Sequence, residues 1–285
     1  MANVLEVERL CKRYVDKDFM LKNISFAIPY GTIIGFIGDN GAGKSTTMGL
    51  ILGTLHKDGG LIRIFGEELD SKRFYLKEDI GVVFDDMYLP GQLNIEKLGK
   101  VFRHIYQNWD PETFNQYIDL FSLPKKKKIS DFSRGMSMKL STAVSLSHDA
   151  KLLILDEATA GLDPSSRENL LQVLKEYVKD GQRSILLSSH ITSDIEKIAD
   201  TLIFIRDGEI LLQVNKETLL SQYAILQCKY REFDQIESDV IVAYEKNDDI
   251  VDVLVSDLER VSLSITRKKF SIDDVTLLLM RGKNV

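Results

Sequence analysis

The segment from Gly38 to Thr46, GDNGAGKST, constrains this chain more than any other. It fits GxxxxGK[ST] and stands between a nearly continuous apolar run, Thr32 to Ile37, and a helical pattern with apolar positions at Met48, Ile51, Leu52 and Leu55. A buried strand, a glycine-rich loop and a helix in that order form a cradle for polyphosphate. Backbone N–H groups must approach the anion closely. Gly38, Asn40, Gly41 and Gly43 leave the chain free to wrap, and the following helix directs its first amides at the phosphates. Lys44 adds a point charge, Ser45 can ligate magnesium and Thr46 completes the motif. Alone, this loop does not separate kinases, GTPases, motors and transport ATPases.

A second constellation narrows the choice. The apolar run Leu152 to Leu155 delivers two adjacent carboxylates, Asp156 and Glu157, to a strand's C-terminal end, the edge where open α/β sheets bind ligands. Neighbouring side chains on a strand point in different directions. Asp156 is therefore expected in a magnesium shell and Glu157 beside a water near the terminal phosphate, which divides metal binding from general-base work. A solvated strand end is the ordinary fate of an acidic pair. Four preceding apolar residues and the upstream loop argue for the functional reading here.

The remaining pattern places these motifs in an α/β fold. Ile24, Phe26 and Ile28 alternate on one face, Ile62 and Ile64 belong to another alternating piece, and Ile80 to Phe84 reads as another buried strand. Helical periodicity runs from Leu93 to Asn108 and from Pro111 to Ser122, and a charged loop, Lys125 to Lys128, follows. Ser133 opens a helix with Leu140, Ala143, Val144 and Ser147 on one face. Asp163-Pro164 opens another, with Asp suited to accept N-terminal amides and Pro to the first helical position. Ile185 to Leu187 forms a strand, and Thr201 to Ile205 pairs with Ile210 to Val214 around Asp207-Gly208. Strands alternating with helices indicate a largely parallel sheet. The pattern changes near Asn215. Beyond it Ile250 to Val255, Val261 to Ile265 and a Ser271-capped helix with Val275, Leu278 and Leu279 suggest a small α+β appendage, so the expected division is 1–214 and 215–285.

Composition bounds the function classes. A chain of 285 residues with 44% hydrophobic and 28% charged side chains buries a sizeable core, and a formal charge of -6 argues against a general nucleic-acid binder. Cys11 and Cys228 lie far apart in no ligand spacing, which favours a reducing compartment and excludes a structural zinc site. The opening MANVLEVERLCKRY lacks a signal core, and no apolar stretch approaches a bilayer span.

Taken in order, Gly38 to Thr46, FSRGM at Phe132 to Met136, LLILDE, AGLD and LLSSH resemble the nucleotide-binding subunit of an ABC transporter, over about 200 residues. The resemblance implies a P-loop ATPase core with an antiparallel β subdomain and a helical subdomain at about 89–150, whose segment Leu89 to Ile129 contacts the membrane subunit. It implies ATP and Mg2+ as ligands. It also implies a second ATP-binding subunit, identical or not, separate integral membrane subunits, and a position at the cytoplasmic face of the membrane. FSRGM corresponds to the signature, so Ser133 and Gly135 are expected on the partner's γ-phosphate; without a partner Ser133 is a helix N-cap. Asp163 closes the D-loop, His190 is the switch histidine that orients the attacking water, and Tyr14 resembles the aromatic that stacks on adenine. Lys44, Glu157 and His190 make the catalytic set, and Ser45 and Asp156 the metal set.

Two departures stand out. Where the family usually has Gln, this sequence has Asp85-Asp86, with Asp85 a further candidate for magnesium, directly or through water. In the signature Arg134 replaces a Gly and Met136 a Gln. Rival readings are weaker. A GTPase would need a guanine-reading NKxD, for which Asn215-Lys216-Glu217-Thr218 is a poor match, and an inactive adaptor would not need Glu157 and His190. A soluble ABC ATPase without a membrane partner is not separated by composition.

Overall fold

Ile33, Ile34, Phe36 and Ile37 are each at most 1% exposed, so their strand has to run through the middle of a covered sheet. The computed structural model describes residues 2–14, 19–70, 73–84, 89–261 and 265–284, with Phe74 described for its backbone alone. In chain order the elements are β1 (Asn3–Arg13), β2 (Met20–Pro29), β3 (Ile33–Ile37), α1 (Lys44–Ile51), β4 (Gly59–Ile64), β5 (Glu67–Glu68) and β6 (Ile80–Val83). Then come α2 (Ile95–Ile105), α3 (Pro111–Leu120), α4 (Arg134–Ser145), β7 (Leu152–Asp156), α5 (Pro164–Tyr177), β8 (Ser184–Ser188), α6 (Thr192–Ile198), β9 (Thr201–Arg206) and β10 (Glu209–Asn215). The last stretch holds α7 (Lys216–Gln222), β11 (Ala224–Lys229), α8 (Tyr230–Phe233), β12 (Ile241–Asn247), β13 (Ile250–Val255), β14 (Thr266–Lys268), α9 (Ile272–Arg281) and β15 (Lys283–Asn284).

The central sheet runs β10-β9-β3-β8-β7-β6. Its strands are parallel except β10, which returns antiparallel on β9. This order sets β3, β8 and β7 side by side, and the register pairs Ser188 with both Phe36 and Asp156. The loops that leave these three strands therefore emerge together at one edge, as ligand loops of parallel sheets do.

Alternation on the two faces of that sheet decides what covers it. Ile34, Phe36, Ile154, Leu186, Ile203 and Ile205 join α1 and the antiparallel sheet β2-β1-β4-β5 in one apolar cluster. Ile33, Ile37, Leu153, Leu155, Leu187, Leu202 and Phe204 face the other way, into a cluster with α2 to α6. That second cluster continues into the last 70 residues through Ile225, Leu254, Ile272, Val275, Leu278 and Leu279.

The β9–β10 turn shows why glycine is needed at one point. Asp207 and Gly208 both have positive φ, 49° and 77°, as a two-residue type I′ turn requires. A Cβ on Gly208 would lie 1.9 Å from the Met20 carbonyl oxygen, and the Gly208 N–H donates to Ala42 O at 3.0 Å. The turn thus presses on β2 and on the phosphate loop at once.

Several expectations shift in detail. The helix expected over Leu93 to Asn108 is Ile95–Ile105, because the Asn94 side chain accepts from Lys97 N at 3.0 Å and starts it, while Tyr106 leaves it to stack on His148 at 3.9 Å. Val261 and Ile265 are not in a strand, and the residues between them lie outside the described set. The strand that pairs with β11 on that side is β14, whose residues are all exposed and so carry no alternating pattern. Asn215 accepts from Glu217 N at 2.9 Å and Thr218 N at 3.2 Å as the N-cap of α7, which accounts for the NKxT run without any guanine.

Candidate active site

The phosphate loop leaves β3 and turns into α1 through Gly43, whose φ of 113° lies in a region that side chains avoid. Space is tight as well: a Cβ there would sit 2.5 Å from Leu21 Cδ2, which would have to move. Lys44 is only 6% exposed, and its ammonium donates to Gly38 O at 2.6 Å and Asp39 O at 3.1 Å. The loop's own carbonyls hold the cation inside its curve, where an anionic oxygen can replace them.

Beside the loop, β7 ends in Asp156. Its Oδ2 accepts from the Ser45 hydroxyl at 2.5 Å, and its Oδ1 accepts from the Ser188 hydroxyl on neighbouring β8. Asp156 is 6% exposed and Ser188 is buried, so the carboxylate is held at both oxygens in low-dielectric surroundings. Glu157 follows with φ 55°, a conformation uncommon for a non-glycine residue, and its N–H lies 3.2 Å from both the backbone oxygen and the hydroxyl of Ser188. The turned backbone is what aims this carboxylate away from its neighbour.

Glu157 Oε2 meets His190, accepting from the backbone N–H at 3.2 Å and lying 2.5 Å from Nδ1. An ionised carboxylate can only accept, which assigns the proton to Nδ1 and leaves Nε2 for a ligand on a ring that is 59% exposed. Glu157 Oε1 is buried, with no hydrogen-bond partner among the described residues. A buried acceptor without a donor is costly in folded proteins and marks a place for water or ligand.

Tyr14, Phe19, Asn40, Gly41, Gly43, Lys44, Ser45, Thr46, Asp156 and Glu157 line one cleft of about 330 Å³. Tyr14 and Phe19 have ring centroids 6.3 Å apart, tilted by 41°, and Lys12 Nζ stands 5.8 Å from the Tyr14 ring. Phe19 is the lining residue that sequence reasoning missed, because no motif marks it.

Ser133, Gly135 and Asp163 are not among the lining residues of this cleft. Ser133 is exposed, with its hydroxyl accepting from Met136 N at 3.3 Å as N-cap of α4. Gly135 packs against the next motif: a Cβ on it would lie 3.0 Å from Gly161 O. Asp163 caps α5 through Ser166 N at 3.0 Å, and the Ser166 hydroxyl beside it holds its carboxyl below the usual range. Asp85 lies outside the described residues.

The donor set suits magnesium. Among the described residues no three His, Cys, Asp or Glu side chains gather as a metal cage, whereas a hydroxyl and a carboxylate oxygen 2.5 Å apart, beside a phosphate cradle, match a cation that keeps water and phosphate oxygens as its other ligands.

A family model described as ABC transporter matches residues 21–160. A bacitracin transport ATP-binding protein of Enterococcus faecalis is 31% identical over 240 residues, covering 82% of this chain and 75% of the relative. The chain belongs to the ATP-binding subunits of ABC transporters. A linearmycin resistance ATP-binding protein of Bacillus subtilis (strain 168) is 30% identical over 280 residues, 96% of this chain and 82% of that protein. A solved ATP-binding subunit of an ABC transporter superposes with a TM-score of 0.69 at 26% identity, over 76% of this chain and 92% of that one. This ABC subunit binds and hydrolyses ATP to drive transport. Among the described residues no helix of its own is long and apolar enough to cross a membrane.

Proposed function

We propose that this ABC subunit works as half of a pair in which each ATP is held by the cleft of one copy and completed by Ser133, Gly135 and Asp163 of the other. The observation that carries the reading is the separation just described. Four groups suited to act on a triphosphate, Lys44, Ser45, Asp156 and Glu157, share one cleft, while the exposed start of α4 lies outside it. Helix-start amides and a serine hydroxyl are anion donors, and in their own chain they lie outside the cleft.

Within the pair, the loop amides and Lys44 bind the β- and γ-phosphates once Lys44 exchanges the carbonyls of Gly38 and Asp39 for phosphate oxygens. Glu157 takes a proton from water as the water oxygen bonds to the γ-phosphorus, the bond to the bridging oxygen breaks, and ADP leaves. His190, held through Nδ1 by Glu157, directs Nε2 to the γ-phosphate and keeps the base in place. Ser45 and Asp156 would hold Mg2+, which supplies charge neutralisation along the phosphates; Asp85 is a further candidate. Tyr14 stacks on the adenine.

The division into an ATP-binding domain, 1–214, and an accessory domain, 215–285, belongs to the same proposal. So does a seat at the cytoplasmic face of the membrane. Within the helical subdomain at about 89–150, the segment Leu89 to Ile129 is the contact region for separate membrane-spanning subunits, supported by the exposed Val101 (39%), Ile105 (57%) and Leu120 (50%) on α2 and α3. The relatives are named for different cargoes, bacitracin in one and linearmycin in another, and no cleft residue reads a cargo.

Glu157→Gln tests the reading, because it keeps the shape and removes the base. With ATP and magnesium the variant should elute as a dimer in size-exclusion chromatography with light scattering, and as a monomer with ADP. A monomer under every nucleotide condition, in the presence of whichever second ATP-binding chain co-purifies, would contradict it.

A further inference from the structure

The C-terminal unit is bound to the ATPase core at two points that bear on the chemistry. At its start, α9 presents Asp273, whose Oδ1 accepts the hydroxyl hydrogen of Thr192, the first residue of α6. At its end, the Arg206 guanidinium donates to the carbonyl oxygens of Leu279 at 2.8 Å, Met280 at 3.1 Å and Gly282 at 3.1 Å. These are acceptors that a helix leaves without internal partners. Between the two ends Ile272, Val275 and Leu279 are each 0% exposed and share one cluster with Ile195, Ile198 and Phe204. Such a contact buries apolar surface along the whole helix and fixes its direction.

The anchored elements matter because of what they carry. Thr192 stands two residues after His190 and is 7% exposed. Ile191, the N-cap of α6, supplies no side-chain cap and donates its own N–H to the Ser189 hydroxyl at 3.0 Å, while Asp273 ties down the first residue of the helix from outside the ATPase core. Farther along α6, Asp194 is 2% exposed with Arg167 Nε 3.7 Å away, and Ile195 packs so closely on β3 that a Cβ at Gly35 would lie 2.2 Å from its Cγ2. The body of α6 is thus set by the parallel sheet and α5, and its beginning by Ser189 together with the C-terminal unit.

We infer that Asp273 is a positioning residue for ATP hydrolysis: through Thr192 the C-terminal unit fixes the start of α6 and with it the distance between His190 and Glu157. This rests on the proposed role of His190. The accessory unit then has a defined use, since a displacement of α9 loosens the switch histidine without touching the nucleotide cleft.

The test uses the full chain with magnesium and saturating ATP. Asp273→Ala should lower kcat about fivefold, the worth of one hydrogen bond, with the affinity for ATP within about twofold of the parent. Asp273→Asn keeps an acceptor oxygen for Thr192 and should restore kcat to within about twofold. Thr192→Val should match Asp273→Ala, and the double variant should be no slower than either single one. Thermal midpoints identify a variant that does not fold; if Asp273→Ala is such a case, Thr192→Val and Asp273→Asn decide alone. Unchanged kcat in Thr192→Val, equal losses of kcat and ATP affinity, or additive losses in the double variant would each overturn the inference. His190→Ala separates the two layers. Full hydrolysis by His190→Ala removes the role of the histidine itself, whereas an inactive His190→Ala beside an unaffected Asp273→Ala removes only the part assigned to Asp273.

Discussion

The buried hydroxyl of Ser188 donates to Oδ1 of Asp156 and leaves the other oxygen of that carboxylate 2.5 Å from Ser45. One residue at the end of β8 thereby decides which oxygen of Asp156 faces the phosphate loop. The same hydroxyl lies 3.2 Å from the N–H of Glu157, at the point where the backbone turns into positive φ.

Ser188→Ala removes the donor and frees Asp156 to rotate. A hydrogen bond to a charged group contributes ~1.5 kcal/mol, so the magnesium concentration for half-maximal hydrolysis should rise about tenfold. ATP binding measured in EDTA should stay within about twofold. A magnesium titration of the hydrolysis rate checks both, and an unaltered magnesium requirement would refute the assignment of Asp156.

Tyr14 and Phe19 form the aromatic end of the cleft. Stacking on a base contributes ~1 kcal/mol at its lower range, so Tyr14→Ala should weaken ATP about fivefold and weaken inorganic triphosphate hardly at all. Tyr14→Phe should bind as the parent does. Equilibrium titration with both ligands separates base contacts from phosphate contacts.

Much of this site was legible because its chemistry is concentrated in short runs. Gly38 to Thr46, Asp156-Glu157 and the Asp163-Pro164 helix start each lie beside a strand or helix with strong apolar periodicity, and such elements keep their register in the fold. What the sequence left unread is relational. Ser188 looks like any strand-end serine until β7 and β8 are adjacent, and the Thr192 to Asp273 bond spans 81 positions. The C-terminal sheet was harder still. β14 is three exposed residues, and β11 and β12 have weak alternation and take their place only in the five-stranded order β14-β11-β13-β12-β15.

His148 supplies a pH test of the fold. It is 0% exposed, its Nδ1 lies 3.0 Å from Glu78 O, and its ring stacks on Tyr106. The carbonyl assigns the proton to Nδ1, so Nε2, which has no partner among the described residues, would have to carry a buried charge-bearing proton on ionisation. Burial is the main cause that lowers its pKa below the ordinary 6.5. The unfolded chain therefore binds this proton more readily than the folded one. Stability from this group is complete above 6.5 and declines as pH falls through the lowered value. Urea midpoints should drop between pH 7.5 and 5, and His148→Phe, which keeps the stacking, should flatten that slope. Equal slopes in both proteins would assign the loss to other groups.

The shared pocket is the central claim, and complementation between two inactive variants reads it most directly. Lys44→Ala disables the phosphate loop, and Ser133→Arg blocks the helix start offered to the partner. Each variant alone should hydrolyse ATP at background rate. In an equal mixture half of random pairs are mixed, and one of the two pockets in each such pair is intact, so about a quarter of the parent rate should return. A mixture no faster than the sum of its two components would contradict a pocket shared between two copies of this chain.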